Sequence, residues 1–120
     1  LDLARLLWIS EKIKNVSWLD LADNQLGDDG LIELASCDQL INVQYLNLNK
    51  NGITDKGLLF FSESKNLPNL KRLHLKNNLI EGGGIMALFN SSTLNNLSTF
   101  QVHDGWTCKK MDGWRYNSQG

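Results

Sequence analysis

Residues 19–26 read LDLADNQL, a run in which leucines alternate with polar residues before an asparagine at position 24 and another leucine at position 26. Such alternation is typical of a short β-strand with one buried face. An asparagine beside the strand is either a solvated turn residue or a buried amide with a fixed hydrogen-bond partner. The choice between these interpretations depends on whether the position recurs elsewhere in the chain.

The position recurs in a gapless repeat. Asn24, Asn51 and Asn78 are 27 residues apart, and several apolar columns keep the same spacing. Two of these columns belong to the strand-like stretch: Leu19, Leu46, Leu73 and Phe100, then Leu21, Leu48, Leu75 and Val102. After the asparagine, apolar residues continue at helical spacing. One strand and one helix per unit is therefore the predicted repeating element.

Three units resemble leucine-rich repeats, whose pattern places an asparagine after alternating leucines. They read VSWLDLADNQLGDDGLIEL at 16–34, VQYLNLNKNGITDKGLLFF at 43–61 and LKRLHLKNNLIEGGGIMAL at 70–88. The unit length and the helical second half are similar to the ribonuclease-inhibitor-like subtype. NGITDKGL at 51–58 and LASC at 34–37 also resemble the cysteine-containing repeats of F-box substrate receptors.

The resemblance implies an α/β fold, a right-handed solenoid that forms a horseshoe segment. A short parallel sheet would lie on its concave side and the helices on its convex side. It also implies that Asn24, Asn51 and Asn78 point inward and form a structural ladder, in which each amide bonds backbone groups of its own and neighbouring turns. In that role the asparagines belong to the fold and not to a binding site.

The repeat register divides the chain at regular positions. Residues 1–105 are predicted to hold the repeats, and residues 106–120 a C-terminal cap or tail, because the register fails after Gly105. Within the repeats, the divisions are a partial repeat or N-terminal cap helix at 1–15, full repeats at 16–42, 43–69 and 70–96, and a final strand at 97–105.

Strand residues between the buried leucines must face the other side of the sheet, where a partner could bind. Trp18, Tyr45 and Arg72 lie one unit apart, and these residue types are enriched in interface hot spots. An alternative is that the aromatic pair only stabilises the sheet. The predicted partner-binding residues are Trp18, Asp20, Tyr45, Asn47, Arg72, His74, Lys76, Gln101 and His103.

Composition excludes several classes of partner. A net charge of −1 favours neither nucleic acid nor an anionic membrane surface, because both call for a clustered basic excess. No apolar run reaches the roughly 20 residues of a membrane helix. No motif indicates a cofactor. Two cysteines without a CxxC pair favour a reducing, cytoplasmic compartment and argue against a zinc site.

An enzyme is not expected. His74 and His103 could share a metal in principle, but the sequence offers neither a third nor a fourth ligand. Asp104 directly follows His103 and in an extended strand would point to the opposite face, so a Ser-His-Asp grouping is not supported. The predicted function is a non-catalytic protein-interaction module that binds a partner protein through the concave face.

Two other functions remain open. The repeats could be an architectural segment of a larger leucine-rich-repeat protein, such as a nucleotide-binding receptor or an effector, whose partner binds elsewhere. They could also form the substrate-recognition arm of a ubiquitin ligase, although asparagine stands where that subtype usually has cysteine.

Overall fold

The fold alternates short strands with helices along the chain. The computed structural model describes residues 12 and 14–117, so the partial repeat or cap helix expected over 1–15 lies almost wholly outside the described residues. The elements are β1 (Trp18–Asp20), α1 (Gly27–Ala35), β2 (Tyr45–Asn47), α2 (Asp55–Ser62), β3 (Arg72–His74), α3 (Gly82–Phe89), β4 (Thr99–Gln101), β5 (Thr107–Lys110) and β6 (Trp114–Asn117).

Strands β1 to β4 form a parallel sheet in chain order. Their register equals the repeat length, since Trp18 pairs with Tyr45, which pairs in turn with Arg72. The pairing extends to the residues just before the strands, where the Gln44 N–H donates to the Ser17 carbonyl oxygen at 2.8 Å. The predicted α/β repeat fold is confirmed in this part of the chain.

A β-hairpin that the sequence did not predict closes one edge of the sheet. Strand β5 pairs antiparallel with β4, with Cys108 opposite Phe100, and β6 pairs antiparallel with β5. The turn contains Asp112 and Gly113, a dipeptide that favours tight hairpin turns. The sheet is therefore mixed, and the segment expected to be a cap or tail from residue 106 forms two of its strands.

The middle residue of each parallel strand shares one core with the helices. Leu46 and Leu73 are fully buried, as are Leu58 and Phe61 of α2, and all belong to a single apolar cluster. Full burial of such a side chain contributes about 1.5–3 kcal/mol. Because successive strand residues point to opposite sides, the first and third residues of each strand face away from this core.

The hairpin covers the end of the core next to the last repeat. Trp114 packs against the core, with ring centroids 5.1 Å from Phe100 and 5.7 Å from Phe89. Trp106 and Tyr116 stay largely exposed and contact each other edge to face at 6.0 Å. One aromatic residue of the hairpin therefore lies in the core, and two remain at the surface.

Asparagine side chains join the loops that follow β1, β2 and β3. The Asn51 Oδ1 accepts hydrogen bonds from the N–H groups of Asn24 at 3.0 Å and Leu26 at 3.2 Å. The Asn51 Nδ2 donates to the Leu21 carbonyl oxygen at 2.9 Å. One unit later, the Asn78 Oδ1 accepts from the Asn51 N–H at 2.9 Å. Asn51 and Asn78 thus each bond backbone groups of two adjacent loops.

The three asparagines of the ladder differ in burial. Asn51 is 2% exposed, whereas Asn78 is half-buried and Asn24 is exposed. Asn51 has an asparagine of the ladder on both sides. Asn24 and Asn78 are the two ends of the ladder in the described chain, and Gly105 stands where a fourth asparagine would be.

A second ladder, which the sequence did not predict, joins the starts of the helices. The Asp28 carboxylate accepts hydrogen bonds from the N–H and the hydroxyl of Thr54. Asp55 repeats this one unit later, accepting from the Glu81 N–H at 2.8 Å. A Cβ added at Gly57 would overlap the Asp28 carboxylate oxygen and lie 2.8 Å from its Cγ. The repeated glycine therefore leaves room for the carboxylate of the preceding unit.

Candidate functional site

The side of the sheet away from the helices, here called the open face, carries two rows of side chains. The first row follows the register across all six strands: Trp18, Tyr45, Arg72, Thr99, Lys109 and Arg115. The second row lies two residues further along the parallel strands: Asp20, Asn47, His74 and Gln101. Lys109 and Arg115 were missed in the sequence, because the hairpin that carries them was not predicted.

An aromatic stack occupies the β1 end of the first row. The rings of Trp18 and Tyr45 stack with centroids 3.7 Å apart and planes 15° apart. The Tyr45 ring also contacts His74, at 5.1 Å and a tilt of 53°. Trp18 nevertheless remains 63% exposed. The stack therefore presents a large aromatic surface to solvent at the edge of the parallel strands.

Several residues of the second row are already bonded to the fold. The Asp20 Oδ1 accepts from the Ala22 N–H at 3.0 Å, and Asn47 makes the equivalent bond to Asn49. These are the local turn bonds that aspartate and asparagine form after a strand. The Gln101 Nε2 donates to the Thr107 hydroxyl at 2.9 Å and so ties β4 to the hairpin. The second row is thus less free for a partner than the first.

Burial and neighbouring charges shift two pKa values on this face. The pKa of His74 is lowered, first by burial and then by the positive charges of Lys76 and Arg72, while Asp20 acts in the opposite direction. The pKa of Tyr45 is raised by burial and by the negative charge of Asp20, while Arg72 lowers it. His74 therefore favours its neutral form, and Tyr45 remains a phenol.

The last two predicted binding residues lie beyond the strands. Lys76 follows β3, and its Nζ is 3.9 Å from a carboxylate oxygen of the exposed Asp104. His103 is exposed in the bend after β4. In the register, the β4 partner of His74 is Gln101, two residues before His103. The structure therefore groups Trp18, Tyr45, Arg72 and His74 and leaves His103 apart from them.

A shallow groove of about 290 Å³ opens where the strands begin. Its lining combines the aromatic stack with polar side chains: Ser17, Trp18, Gln44, Tyr45, Lys71 and Arg72. Ser17, Gln44 and Lys71 were not predicted as site residues. The signal was available, because they form a column at the same 27-residue spacing, directly before the Trp18 column.

We also considered other candidate sites in the described chain. A groove of about 400 Å³ lies on the helix side between α2 and α3, beside Leu59 and Met86. Among residues 12 and 14–117, no group of three or more histidine, cysteine, aspartate or glutamate side chains is arranged to hold a metal ion. In the same residues, none of the helices has the length and apolar character needed to cross a membrane.

Comparison with known proteins identifies the repeats. A family model described as Leucine Rich repeat matches residues 15–35, 39–62 and 66–89, more than half of the chain. A solved structure, the tropomodulin C-terminal domain from Caenorhabditis elegans, superposes with a TM-score of 0.62 at 13% sequence identity. The match covers 85% of this chain but 64% of that structure, and the likeness concerns the fold. No curated protein sequence matches the chain.

Proposed function

Because this chain belongs to the leucine-rich repeat family, we propose that it is a non-catalytic module that binds a partner protein through the open face of its sheet. The observation that carries this proposal is the first row. Trp18 is 63% exposed although it stacks on Tyr45, and Arg72 is the next residue in register. Tryptophan, tyrosine and arginine are the residue types that most often dominate binding energy at interfaces.

The bonding of these side chains supports the same proposal. Within the described chain, the side chains of Trp18, Tyr45 and Arg72 have no hydrogen bond or ion pair. A cross-strand aromatic pair stabilises a sheet by only about 0.2–1 kcal/mol, which is little for two large exposed rings. Their polar groups therefore remain available to a partner.

The proposal includes finer features of the fold. The open face would be the concave side of a right-handed solenoid segment, with the helices on its convex side, as in the ribonuclease-inhibitor-like subtype. Helices of eight or nine residues after each of the first three strands support that subtype. Unpaired thiols at Cys37 and Cys108 suit a reducing, cytoplasmic compartment.

The test is a triple variant, Trp18→Ala with Tyr45→Ala and Arg72→Ala. The immobilised wild-type chain is used to capture a partner from an extract of its source, and the partner is identified by mass spectrometry. We expect the triple variant to lose this partner while its circular dichroism spectrum stays that of the wild type, because these side chains lie outside the core.

A matched control removes three large exposed side chains from the helix side, as Leu59→Ala with Phe60→Ala and Met86→Ala. This control should retain the partner. Survival of binding in the triple variant, or its loss in the helix-side control alone, would show that the partner binds elsewhere.

A further inference from the structure

Cationic side chains lie beside the aromatic stack and further along the first row, although the whole chain has a net charge of −1. Lys71 and Arg72 line the groove beside Trp18 and Tyr45. Lys109 lies further along the first row, opposite Thr99. Arg115, the last residue of that row, is already paired with Asp112 at 2.8 Å. Cations therefore lie at the groove and at the hairpin end of the first row.

Three of these cations have no counterion in the described chain. The ion pairs found there join Lys76 to Asp104 and Arg115 to Asp112, and neither includes Lys71, Arg72 or Lys109. All three are exposed. A partner can therefore neutralise these charges without first displacing an internal carboxylate, which would cost part of the binding energy.

We propose that the segment bound at the open face is acidic, with an apolar side chain next to a cluster of carboxylates. The apolar side chain lies on the exposed face of Trp18, and the carboxylates bond Lys71 and Arg72. This inference rests on the proposed function and specifies the chemistry of its partner. Arginine suits the role because its planar guanidinium can hold a carboxylate through two hydrogen bonds.

The spacing of the row and the position of Asp20 orient the segment. Adjacent strands are about 4.8 Å apart, so Trp18 on β1 and Arg72 on β3 are separated by about 10 Å across the sheet. Asp20 follows Trp18 on the same face of β1, and it repels carboxylates from that end of the row. The acidic end of the segment therefore lies over β3 and the hairpin.

A single-stranded nucleic acid is the competing ligand, because it also combines negative charge with stacking. The face suits it less well. Trp18 and Tyr45 stack on each other at 3.7 Å, so their facing sides cannot receive a base. Asp20 is close enough to raise the pKa of Tyr45, after the larger effect of burial, and a phosphate backbone would meet the same negative charge.

The test uses three fluorescent probes and the whole chain. The first is a fluorescein-labelled peptide with one leucine followed by a run of glutamates; in the second, lysines replace the glutamates; the third is an oligothymidine of similar length. Fluorescence anisotropy measures binding of each. We expect the acidic peptide to bind, the other two not to bind, and added salt to weaken the complex.

The decisive variant is Lys71→Glu with Arg72→Glu, which should weaken acidic-peptide binding by at least about tenfold. Its matched control, Lys56→Glu with Lys65→Glu, changes the net charge equally at exposed positions outside the groove. The control should change affinity by less than about twofold, because distant charges are screened. Circular dichroism checks that both variants fold.

Several results would overturn the inference: no binding of the acidic peptide, equal weakening by both double variants, or tighter binding of oligothymidine. These failures differ from failure of the proposed function. If the acidic peptide does not bind but the Trp18, Tyr45 and Arg72 alanine variant still loses the native partner, only the acidic chemistry is wrong. If that alanine variant keeps the partner, the proposal that the partner binds the open face is wrong.

Discussion

The two ends of the parallel strands carry polar side chains with opposite roles. At the carboxyl ends of the strands, Asp20 and Asn47 accept hydrogen bonds from the turns that follow, and Asn51 in the loop after β2 bonds four backbone groups. Where the strands begin, Gln44 and Arg72 line an open groove, and their side chains have no hydrogen bond within the described chain. A repeated polar column therefore indicates function only when the fold does not already use its bonds.

The largest effect on stability should come from removing the side-chain hydrogen bonds of Asn51. We expect Asn51→Leu to lower the free energy of unfolding by about 3 kcal/mol, because the N–H groups of Asn24 and Leu26 lose this acceptor and each buried loss costs about 1–3 kcal/mol. Asn24→Leu, at the exposed end of the ladder, should cost about 1 kcal/mol on the same scale. Urea denaturation measures the free energy of unfolding of both variants. Equal losses would contradict the explanation that burial decides the cost of each substitution.

Gly57→Ala should have the next largest effect. The added Cβ would overlap the Asp28 carboxylate, which caps the turn at Thr54. We expect a loss of about 2 kcal/mol, typical of overpacking. Gly82→Ala is the control, since nothing lies within 4 Å of its added Cβ, and it should be neutral or stabilising. Thermal denaturation measures both, and a destabilised Gly82→Ala would refute the steric explanation.

Where the strands begin, Trp18→Ala should have little effect on the stability of the fold. Loss of its stack on Tyr45 should lower the free energy of unfolding by about 1 kcal/mol. Trp18→Phe keeps most of the ring contact, so its free energy of unfolding should lie between those of Trp18→Ala and the wild type. Chemical denaturation measures stability, and partner capture measures binding. A loss as large as that of Asn51→Leu would mean that the stack belongs to the fold.

The smallest effect concerns pH. Burial lowers the pKa of His74 below the ordinary value of 6.5, so the unfolded chain takes up this proton at higher pH than the folded chain. Its contribution to stability is therefore constant above about pH 6.5 and declines as the pH falls toward the folded-state pKa. His74→Gln should reduce the stability lost between about pH 7 and pH 5. An unchanged pH profile would show that His74 titrates alike in both states.

Much of the fold could be predicted because its cause is local and repeated. The 27-residue spacing places Leu46 beside Leu73 and fixes the parallel register before any contact is known. The hairpin has no such repetition, since β5 and β6 depend on one turn at Asp112 and on pairing with β4. The same Asp-Gly dipeptide also occurs at 29–30 and 104–105, so it does not by itself indicate a hairpin.

The candidate site was predictable in the same uneven way. The register alone aligns Trp18, Tyr45 and Arg72, because they share a repeat column. Lys109 joins their row through antiparallel pairing, which no column records. The bonds between Asp28 and Thr54 were also hidden, since they connect different columns of adjacent units. Sequence periodicity thus predicts which residues occupy the same position in successive units. It does not predict contacts between residues of different columns.

The most direct test of the difference between the two ends of the parallel strands is an NMR titration of the ¹⁵N-labelled chain with the acidic peptide. We predict shifts of the Trp18 indole N–H and of the amides of Gln44 and Arg72, while the side-chain amide of Asn51 stays unchanged. Shifts centred on the helix-side groove near Met86, or spread evenly over both ends of the strands, would contradict this account.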